Sequence, residues 1–415
     1  MNILALNCGS SSVKYQLYNW ETHCVTAKGV AERIGVGESF LLHKTINGEK
    51  KITEPTLADH LSAVELIMKT LTDPVYGVIK EITEISAVGH RVVHGGEKYT
   101  KSEIITPKVT DTIKELSVLA PLHNPPNLAG ILAVQKLMPD APQVAVFDTA
   151  FHQTMPDTAY LYAVPMEWYE KNNIRKYGFH GASHLYVSKR AAVMLGKSAS
   201  ECNLITLHIG NGVSVTAVRN GVSADTSMGF TPLEGAVMGT RCGDIDPAVP
   251  LYMQKILGKS AGEIDSVLNK NSGLLGITKR FTDFRDIERQ AKAGDKLCEL
   301  AINIKVYRLK KYIGMYTATL GRLDAVIFTA GTGENSALLR KLTLKGLEHI
   351  GIDINEEKNL ATNTSSGETD ISTPESKVKV FVIPTNEELV LVEDVVAVLN
   401  GAYTDHMRFP YSFVK

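Results

Sequence analysis

Two arginines and two acidic residues occupy positions where charged side chains act on anions or metal ions. Arg91 lies near the end of an apolar run, and Arg241 lies among the glycines of Met238–Asp244. Charged residues are rarely buried unless paired, so Arg91 either pairs with a carboxylate or binds an anionic substrate. Arg241 is either an ordinary surface arginine or, as the surrounding glycines favour, a substrate contact. Asp148 and Glu387 each follow an apolar run, where a carboxylate either holds magnesium or simply caps a helix.

Two histidines lie four residues apart, at His180 and His184. This spacing is compatible with a zinc pair, but no Glu lies between them and no third ligand is evident nearby. We therefore expect His180 to donate a hydrogen bond near a phosphate group, with a structural role as the alternative. His184 is assigned a structural role.

Two distant segments share one pattern, which predicts a duplicated phosphate-binding hairpin. Ile3–Tyr18 and Leu204–Val218 each contain an apolar strand, a small polar turn and a second strand. The turns, Asn7–Ser12 and Gly210–Gly212, leave backbone N–H groups available to phosphate oxygens. A plain hairpin loop would explain either turn alone, because Ser, Gly and Asn favour turns. The third Gly-rich turn, Gly331–Asn335, makes coincidence a weaker explanation, although it matches neither G-x-G-x-x-G nor a P-loop.

The order of the remaining elements also repeats, as a crossover strand with a Gly-rich end and then a strand ending in a carboxylate. The predicted strands are Ile85–Val93, Gln143–Phe147, Ala325–Thr329 and Lys379–Ile383. Helical patterns cover 57–71, 108–119, 128–137, 287–320 and the chain from Ser336, whereas 121–127 is expected to be non-helical and 365–377 a surface loop. Alternating strands and helices predict an α/β fold with mixed sheets, with ligands beyond the carboxyl ends of the strands.

Composition limits the classes of protein that fit this chain. Its 415 residues are 44% hydrophobic and 21% charged, and this length favours two domains. The net charge of −1 argues against nucleic acid or an anionic membrane as the partner. Five scattered cysteines predict neither a disulfide framework nor a zinc site, so we expect a cytoplasmic protein. No apolar run approaches the roughly 20 residues of a membrane span.

Seven motifs together closely resemble the acetate kinase family, within the superfamily of sugar kinases, actin and heat-shock chaperones. These motifs are Asn7–Tyr15, Gly89–Gly96, Ala120–Pro125, Phe147–His152, Tyr177–Gly181, His208–Gly212 and Pro384–Glu388. The match runs nearly end to end, and only Thr404–Lys415 carries no usable motif.

The resemblance implies duplicated actin-like (ribonuclease H-like) domains with an active-site cleft between them. The N-terminal domain would cover 1–150 and be completed by 388–415, and a nucleotide-binding and dimerisation domain would cover 151–387. The implied reaction is reversible transfer of the ATP γ-phosphoryl group to acetate, giving acetyl phosphate and ADP. It requires Mg²⁺, for which Mn²⁺ can substitute, and the family implies a homodimer.

Residue roles follow from the resemblance. Asn7 and Glu387 would serve the metal, Arg91 would hold the carboxylate or phosphoryl group, and His180 and Arg241 would stabilise the transition state. The implied nucleotide contacts are Lys14, His208, Ile209, Gly210, Asn211, Gly212, Asp283, Phe284, Arg285, Gly331, Thr332, Gly333, Glu334 and Asn335. The implied methyl pocket consists of Val93, Leu122, Phe179 and Pro232.

Asp148 has two interpretations. The family assigns it proton transfer, but a carboxylic acid substrate is already ionised at neutral pH, so we favour a role in orienting a metal-bound water or an arginine.

Three alternatives to an acetate kinase stay open. One is a propionate or short-chain acyl kinase, because one methylene in an apolar pocket changes the free energy by only about 1–3 kcal/mol. The second is a non-catalytic nucleotide-dependent switch. The third is a phosphatase or polyphosphate-cleaving enzyme of the same fold.

Overall fold

The computed structural model describes residues 1–54 and 56–414. The chain divides into two compact units. The first unit comprises Met1–Phe151 and Asn386–Ser412, and the second comprises His152–Thr385 with the chain end from Phe413.

Strands supply the framework of both units. In chain order they are β1 (Asn2–Cys8), β2 (Ser12–Asn19), β3 (Cys24–Glu32), β4 (Ser39–Thr45), β5 (Gly48–Glu54), β6 (Ile85–Val92), β7 (Glu103–Ile104), β8 (Gln143–Phe147), β9 (Asn203–Ile209), β10 (Val213–Arg219), β11 (Val222–Thr226), β12 (Ala325–Thr329), β13 (Thr369–Asp370) and β14 (Lys379–Val382).

Helices flank these strands. They are α1 (His60–Leu71), α2 (Pro107–Glu115), α3 (Asn124–Leu137), α4 (Asp157–Tyr160), α5 (Met166–Asn172), α6 (Gly181–Met194), α7 (Ala248–Leu257), α8 (Ala261–Lys270), α9 (Gly273–Thr278), α10 (Phe284–Lys292), α11 (Lys296–Leu320), α12 (Ala330–Asn335), α13 (Ala337–Leu344), α14 (Glu356–Ala361) and α15 (Glu387–Leu399). Within the described ranges, no helix combines the length and apolar character that crossing a bilayer requires.

Each unit contains one mixed sheet, and the two sheets share a central plan. The strand orders are β5-β4-β3-β2-β1-β6-β8-β7 and β11-β10-β9-β12-β14-β13. In both, an antiparallel hairpin continues into a run of three parallel strands, β1-β6-β8 in one and β9-β12-β14 in the other. The predicted α/β class and the duplication are therefore confirmed.

The helix α15 belongs to the first unit, which corrects the expectation that Glu387 lies in the second domain. Leu391 and Val395 of α15 are buried against Ile3 of β1, Ala87 of β6 and Val144 of β8. Burying this apolar face stabilises the helix on the first sheet, and Glu387 is carried with it.

Four of the local predictions need correction. The helix α3 starts at Asn124, because prolines are tolerated in the first turn of a helix, where the backbone N–H has no intrahelical partner. The predicted helix 287–320 is two helices, α10 and α11, separated at Gly294, whose φ is +95°. Gly331–Asn335 is a short helix, α12, and not a turn. The predicted loop 365–377 contains β13, which pairs with β14.

The strands β3, β4 and β5 extend the first sheet and were not predicted from the sequence. Their exposed faces carry charged residues, which concealed the alternation of the sequence. Ala27, Ala31 and Leu41 are buried on the other face, in the core that α1 covers.

Candidate active site

Arg91 and two acidic side chains form an ion-pair cluster in the first unit. Arg91 Nε and Nη2 donate to Asp148 Oδ1 and Oδ2 at 2.9 and 2.7 Å, which is a bidentate geometry. Arg91 Nη1 lies 3.7 Å from Glu387 Oε2. The side chain of Asp148 is only 3% exposed, whereas those of Arg91 and Glu387 are 23% and 20% exposed. The guanidinium is thus fixed from behind and still accessible to a ligand.

Three parallel strands and one helix bring this cluster together. The carboxyl ends of β1, β6 and β8 meet at one edge of the sheet, where the Asp148 N–H donates to Val92 O at 2.9 Å. Side chains alternate along a strand, so Arg91 shares a face with Gly89. That face is covered by α15, since a Cβ on Gly89 would lie 2.2 Å from Leu391 Cδ2. The first residue of α15, Glu387, consequently reaches Arg91.

Asn7 and Lys14 lie at the same edge of the sheet. They are opposite each other in the β1–β2 hairpin, and Asn7 continues the strand face on which Ile3 and Ala5 pack beneath α15. Lys14 also acts electrostatically on Glu387. These contacts group five of the predicted residues around one end of the first sheet.

Burial and the neighbouring opposite charges shift the pKa values of this cluster in opposite directions. Burial raises the pKa of Glu387, the charges of Arg91 and Lys14 oppose that rise, and Asp148 adds to it. Burial also disfavours the charge on Arg91, but Asp148 and Glu387 outweigh it and raise the pKa of Arg91 above its ordinary value. Arg91 therefore stays a cation at neutral pH.

Two buried asparagines on α3 hold the strand ends in place, and sequence reasoning missed them. Asn127 Oδ1 accepts from the Val93 N–H at 3.0 Å, and its Nδ2 donates to Cys8 O at 2.7 Å. Asn124 Oδ1 accepts from the His94 N–H at 3.1 Å, and its Nδ2 donates to His94 O. The sequence signal for them was the pair of asparagines on either side of Pro125-Pro126. If a helix begins there, its first turn directs both side chains toward the sheet.

The predicted methyl-pocket residues are divided between the units. In the first unit Val93 is 8% exposed, and Leu122, in the loop before α3, is 40% exposed. In the second unit Phe179 is 2% exposed, and the carbonyl of Pro232 accepts a hydrogen bond from Arg241 Nη1 at 2.7 Å.

His180 belongs to a histidine cluster in the second unit. Its ring stacks on His208 with centroids 4.0 Å apart, and its Nδ1 lies 2.8 Å from Ser214 Oγ. The same Ser214 hydroxyl lies 2.7 Å from His184 Nε2. Burial, with His152 and His208 adding to it, keeps the pKa of His184 well below 6.5, so His184 is neutral. The Ser214 hydroxyl carries one proton, and the neutral His184 therefore influences which nitrogen of His180 is protonated.

Arg241 and His180 both approach the turn of the second hairpin. A Cβ on Gly212 would lie 2.8 Å from Arg241 Nη2 and 3.4 Å from His180 Nε2. Only glycine leaves space for both side chains here. Burial lowers the pKa of Arg241 to about 10, at which the guanidinium is still charged at neutral pH. The second unit thus presents a cation and an imidazole beside one backbone turn.

A cavity of about 650 Å³ lies next to that turn. It brings together three separate predicted segments through Gly210, Asn211, Asp283, Phe284, Arg285, Gly331, Thr332 and Asn335. Its volume lies in the range of small-molecule and cofactor sites. Asp283 caps α10 by accepting from the Arg285 N–H at 2.8 Å, and the pair is also bridged by a salt bridge of 2.6 Å.

Three other predicted nucleotide-binding residues lie outside the cavity lining and contact other residues of the second unit. Gly333 packs against Ile209, and Glu334 Oε1 accepts from the Thr385 N–H at 3.2 Å. His208 Nδ1 lies 2.8 Å from Ser183 Oγ. Sequence reasoning missed six lining residues, Gly239, Leu274, Thr282, Glu288, Lys305 and Ser336. Lys305 was missed because it lies in the middle of α11, where the sequence pattern makes a lysine look like an ordinary exposed residue.

Within residues 1–54 and 56–414, no three His, Cys, Asp or Glu side chains form a group that could hold a metal ion alone. This does not conflict with a magnesium site, because Mg²⁺ retains several waters and binds through one or two carboxylates plus substrate phosphates. The oxygens of Asn7 and Glu387 have the chemistry of that kind of partial site.

The duplicated sheets, the ion-pair cluster and the nucleotide-sized cavity define the class, a phosphotransferase of the actin-like fold. The sequence profile described as "Acetokinase family" matches residues 2–393. The chain belongs to the acetokinase family and is a kinase with a carboxyl group as acceptor. The family uses ATP.

Individual relatives agree with this assignment. An acetate kinase from Geobacter sulfurreducens is 61% identical over 415 residues, which cover 100% of this chain and 99% of that protein. The crystal structure of Porphyromonas gingivalis acetate kinase matches with a TM-score of 0.90 and 45% identity, covering 96% of this chain and 99% of the other. A propionate kinase from Francisella tularensis matches with a TM-score of 0.88 and 43% identity, covering 95% and 98%. The family resemblance of the motifs is confirmed.

Proposed function

We propose that this chain transfers the γ-phosphoryl group of ATP reversibly to acetate, giving acetyl phosphate and ADP with Mg²⁺ as the metal. An acetate oxygen forms the new bond to the γ-phosphorus, and the bond from that phosphorus to the bridging oxygen of ADP breaks. The observation that carries this proposal is Arg91, a guanidinium fixed by Asp148 and still partly exposed.

Arg91 binds the acceptor in this proposal. A guanidinium matches the two oxygens of a carboxylate or the oxygens of a phosphoryl group. Val93, two residues further along, would contact the methyl group of acetate. Leu122, Phe179 and Pro232 are proposed to complete the contacts to that methyl group.

Asp148 is proposed to orient Arg91. Both of its oxygens accept hydrogen bonds from the guanidinium, which supports positioning over proton transfer. Asp148→Asn should then raise the KM for acetate by about tenfold or more, because the freed guanidinium samples other rotamers. Unchanged kinetic constants would contradict both the positioning role and proton transfer.

The donor nucleotide is proposed to bind in the cavity of the second unit. The glycines at 210 and 331 would allow phosphate oxygens to approach the backbone closely. Asp283 and Arg285 would contact the ribose, and Phe284 would contact the base. Lys14, His208, Ile209, Gly212, Gly333 and Glu334 are proposed as further or supporting nucleotide contacts.

His180 and Arg241 are proposed to stabilise charge on the transferring phosphoryl group. Phosphoryl transfer depends on alignment and charge neutralisation more than on covalent catalysis. An arginine in this role contributes on the order of 10³-fold, or about 4 kcal/mol of activation free energy.

Asn7 and Glu387 would hold the magnesium ion, directly or through water. The bound ion supplies charge neutralisation to the phosphate oxygens. The carboxylate of Glu387 must be ionised for this, and its raised pKa means that metal affinity should fall with decreasing pH sooner than for an exposed glutamate.

Trapping of the acyl phosphate with hydroxylamine tests the proposal. The purified protein with ATP, Mg²⁺ and acetate should yield acetyl hydroxamate, and omission of acetate should abolish ADP release. Hydroxamate absent in the presence of bound ATP would support a nucleotide-dependent switch. ATP hydrolysis independent of acetate would support a phosphatase.

Propionate is the second candidate acceptor, because the Francisella tularensis neighbour is a propionate kinase. Parallel assays with acetate, propionate and butyrate distinguish the two. We expect the highest kcat/KM with acetate and lower but measurable turnover with propionate.

A homodimer formed through the second unit is also proposed. Leu251, Tyr252 and Ile256 of α7 are 69%, 63% and 59% exposed, and an apolar surface of this kind is suited to burial against a second copy. Sedimentation velocity should show twice the chain mass of 45.3 kDa. A single species at that chain mass would contradict it.

A further inference from the structure

A chain of hydrogen bonds runs behind His180 in the second unit. His180 Nδ1 lies 2.8 Å from Ser214 Oγ, and the same hydroxyl lies 2.7 Å from His184 Nε2. His184 Nδ1 lies in turn 2.7 Å from Thr206 Oγ1. Thr206, His184 and Ser214 are all fully buried, with 0% exposure. Three buried polar side chains therefore stand in line behind a ring that is only partly buried.

One helix and two strands bring these groups together. His180 directly precedes α6 and His184 lies one turn further on, so both rings project from the same side of the helix. Thr206 belongs to β9 and Ser214 to β10. His208 is opposite Ser214 in the register and two residues from Thr206, so the two hydroxyls share one face of the second sheet. The histidines of α6 reach both of them on that face.

The partners of Thr206 decide the direction of these hydrogen bonds. Throughout the part of the chain that the structure describes, His184 Nδ1 is the one hydrogen-bond partner of Thr206 Oγ1. A buried hydroxyl with one partner donates to it, since the opposite choice would leave its proton buried and unpaired. His184 is neutral, because burial keeps its pKa well below 6.5. Its single ring proton is therefore on Nε2, from which it is donated to Ser214 Oγ.

This direction determines where the Ser214 proton goes. Ser214 Oγ accepts from His184, so its own O–H donates to His180 Nδ1. An Nδ1 that accepts a hydrogen bond carries no proton, and the neutral ring then has its proton on Nε2. A Cβ on Gly212 would lie 3.4 Å from that Nε2, which places it beside the turn of the second hairpin.

The stacked ring of His208 is held in the same way. His208 Nδ1 lies 2.8 Å from Ser183 Oγ, which accepts a hydrogen bond from Thr385 Oγ1 at 2.8 Å. Ser183 therefore has its own proton for that nitrogen. The planes of the two stacked rings differ by 16°, and a Cβ on Gly210 would lie 3.9 Å from His208 Nε2. A serine at Nδ1 and an Nε2 near the turn are thus common to both imidazoles.

We propose that Ser214 is a positioning residue for His180. With His184 and Thr206 behind it, its hydroxyl holds the ring in the tautomer that donates from Nε2 to the transferring phosphoryl group. This inference rests on the proposed role of His180 in phosphoryl transfer. A donor that is already oriented toward developing charge stabilises it without reorganisation in the transition state. Ser214 itself is fully buried and acts only through the ring.

NMR of the full chain labelled with nitrogen-15 histidine tests the tautomer. The spectrum is recorded at mildly alkaline pH, where an imidazole is ordinarily neutral. The His180 signals, identified by their loss in His180→Gln, should show an unprotonated Nδ1 and a protonated Nε2. In Ser214→Ala the Nδ1 signal should move downfield, because the hydrogen bond to that nitrogen is lost. A wild-type ring with its proton on Nδ1 would overturn the inference.

Steady-state kinetics test the consequence for phosphoryl transfer. Ser214→Ala should lower kcat about tenfold and leave the KM for ATP and for acetate within about twofold, since the donor acts on the transition state. In a His180→Ala background the same change should cause no further loss, because Ser214 acts through that ring. A full additional loss in the double variant contradicts this. Ser214→Cys, which keeps the size and a weaker donor, replaces the alanine variant if that does not fold, and its loss should be smaller.

Ser223→Ala is the matched control. Ser223 is equally buried, and its Oγ lies 2.9 Å from His152 Nδ1, so the change removes a serine–histidine hydrogen bond of the same kind. It should leave the His180 signals unchanged and kcat within about twofold. An unchanged kcat in Ser214→Ala, or equal losses in both serine variants, would overturn the inference and leave the kinase proposal intact. If the wild type forms no acetyl phosphate, the kinase proposal fails, and the ring spectrum still decides the tautomer.

Discussion

Val93 is the residue through which acceptor size is most directly tested. It lies two positions after Arg91 and is 8% exposed, and its N–H is held by Asn127. Val93→Ala should improve kcat/KM for propionate relative to acetate by up to about tenfold, because it opens space for one methylene. Steady-state assays with both acids measure the ratio.

Val92→Ala is the control for this prediction. Val92 is fully buried, and it packs with Ile131 and Phe147 on the opposite face of the sheet. Its truncation should destabilise the fold and leave the ratio of the two acids unchanged. An unchanged ratio in Val93→Ala would remove Val93 from the acceptor pocket.

Some residues of the candidate site could be identified from the sequence and others could not. Arg91, Asp148 and Glu387 were recognisable because a charge at the end of an apolar run has few structural explanations, and the structure groups them. Asn127 and Lys305 were not, because their importance depends on burial by distant segments. A polar residue in a helical pattern is ordinarily exposed, and only tertiary structure shows otherwise.

Gly89 of β6 governs how closely α15 approaches the first sheet. A Cβ at this position would lie 2.2 Å from Leu391 Cδ2 and 2.7 Å from Val395 Cγ2. Gly89→Ala should therefore displace α15, lower the unfolding free energy by about 1–3 kcal/mol and weaken metal-dependent activity through Glu387. Chemical denaturation and magnesium titration of the activity measure the two effects.

Gly314→Ala gives the comparison for an uncrowded site. No heavy atom lies within 4 Å of the Cβ position in this helical glycine, so alanine should stabilise α11 by up to about 1 kcal/mol. If Gly89→Ala is equally harmless, α15 is not positioned by that contact.

Asp394 on α15 predicts a pH dependence of stability. Its carboxylate accepts hydrogen bonds from Ser102 and Tyr411, both at 2.6 Å, and burial raises its pKa from 3.8 to about 6. The folded state therefore binds this proton more tightly than the unfolded state. Its contribution to stability is fully present below about pH 4 and is lost as the pH rises to about 6, by about 3 kcal/mol.

Thermal unfolding of the wild type and of Asp394→Asn between pH 4 and pH 7 measures this contribution. The wild type should lose stability relative to the variant across that range, since asparagine does not titrate. Parallel curves for the two proteins would show that Asp394 has an ordinary pKa in the fold.

Elements were most predictable where a short, fully buried apolar run is bounded by polar residues. The strands β8 and β12 were predicted at their observed limits because both are short apolar runs with polar ends. The start of α3 and the division between α10 and α11 were missed, because the first depends on where a proline falls in a helical turn and the second on a single glycine.

In the proposed function, the two substrates bind to different units of the chain. Arg91 belongs to the first unit, and Asp283 lines the cavity of the second. Arg91→Ala should leave ADP affinity within about twofold, whereas Asp283→Asn, which retains an acceptor for the helix cap, should weaken it about fivefold. Calorimetric titration of ADP into each variant makes the comparison, and an equal loss in both would show that the substrates are not separated in this way.

The duplication was predictable at the scale of the molecule because the polar turns recur after two similar hairpins. The family resemblance implied the return of α15, since it assigned 388–415 to the first domain, but nothing local in Asn386–Ser412 distinguishes a helix that returns to the first sheet from one that stays with the second. The distinction depends on long-range burial of Leu391 and Val395.

The return of α15 has a consequence for synthesis. β1, β6 and β8 leave the ribosome before the helix that covers one face of their sheet, because that helix follows them in the chain. Until that helix emerges, Ile3, Ala87 and Val144 have no apolar cover, and the nascent first unit must be shielded by other means. Because Glu387 arrives with the same helix, a product terminated before it lacks the carboxylate next to Arg91.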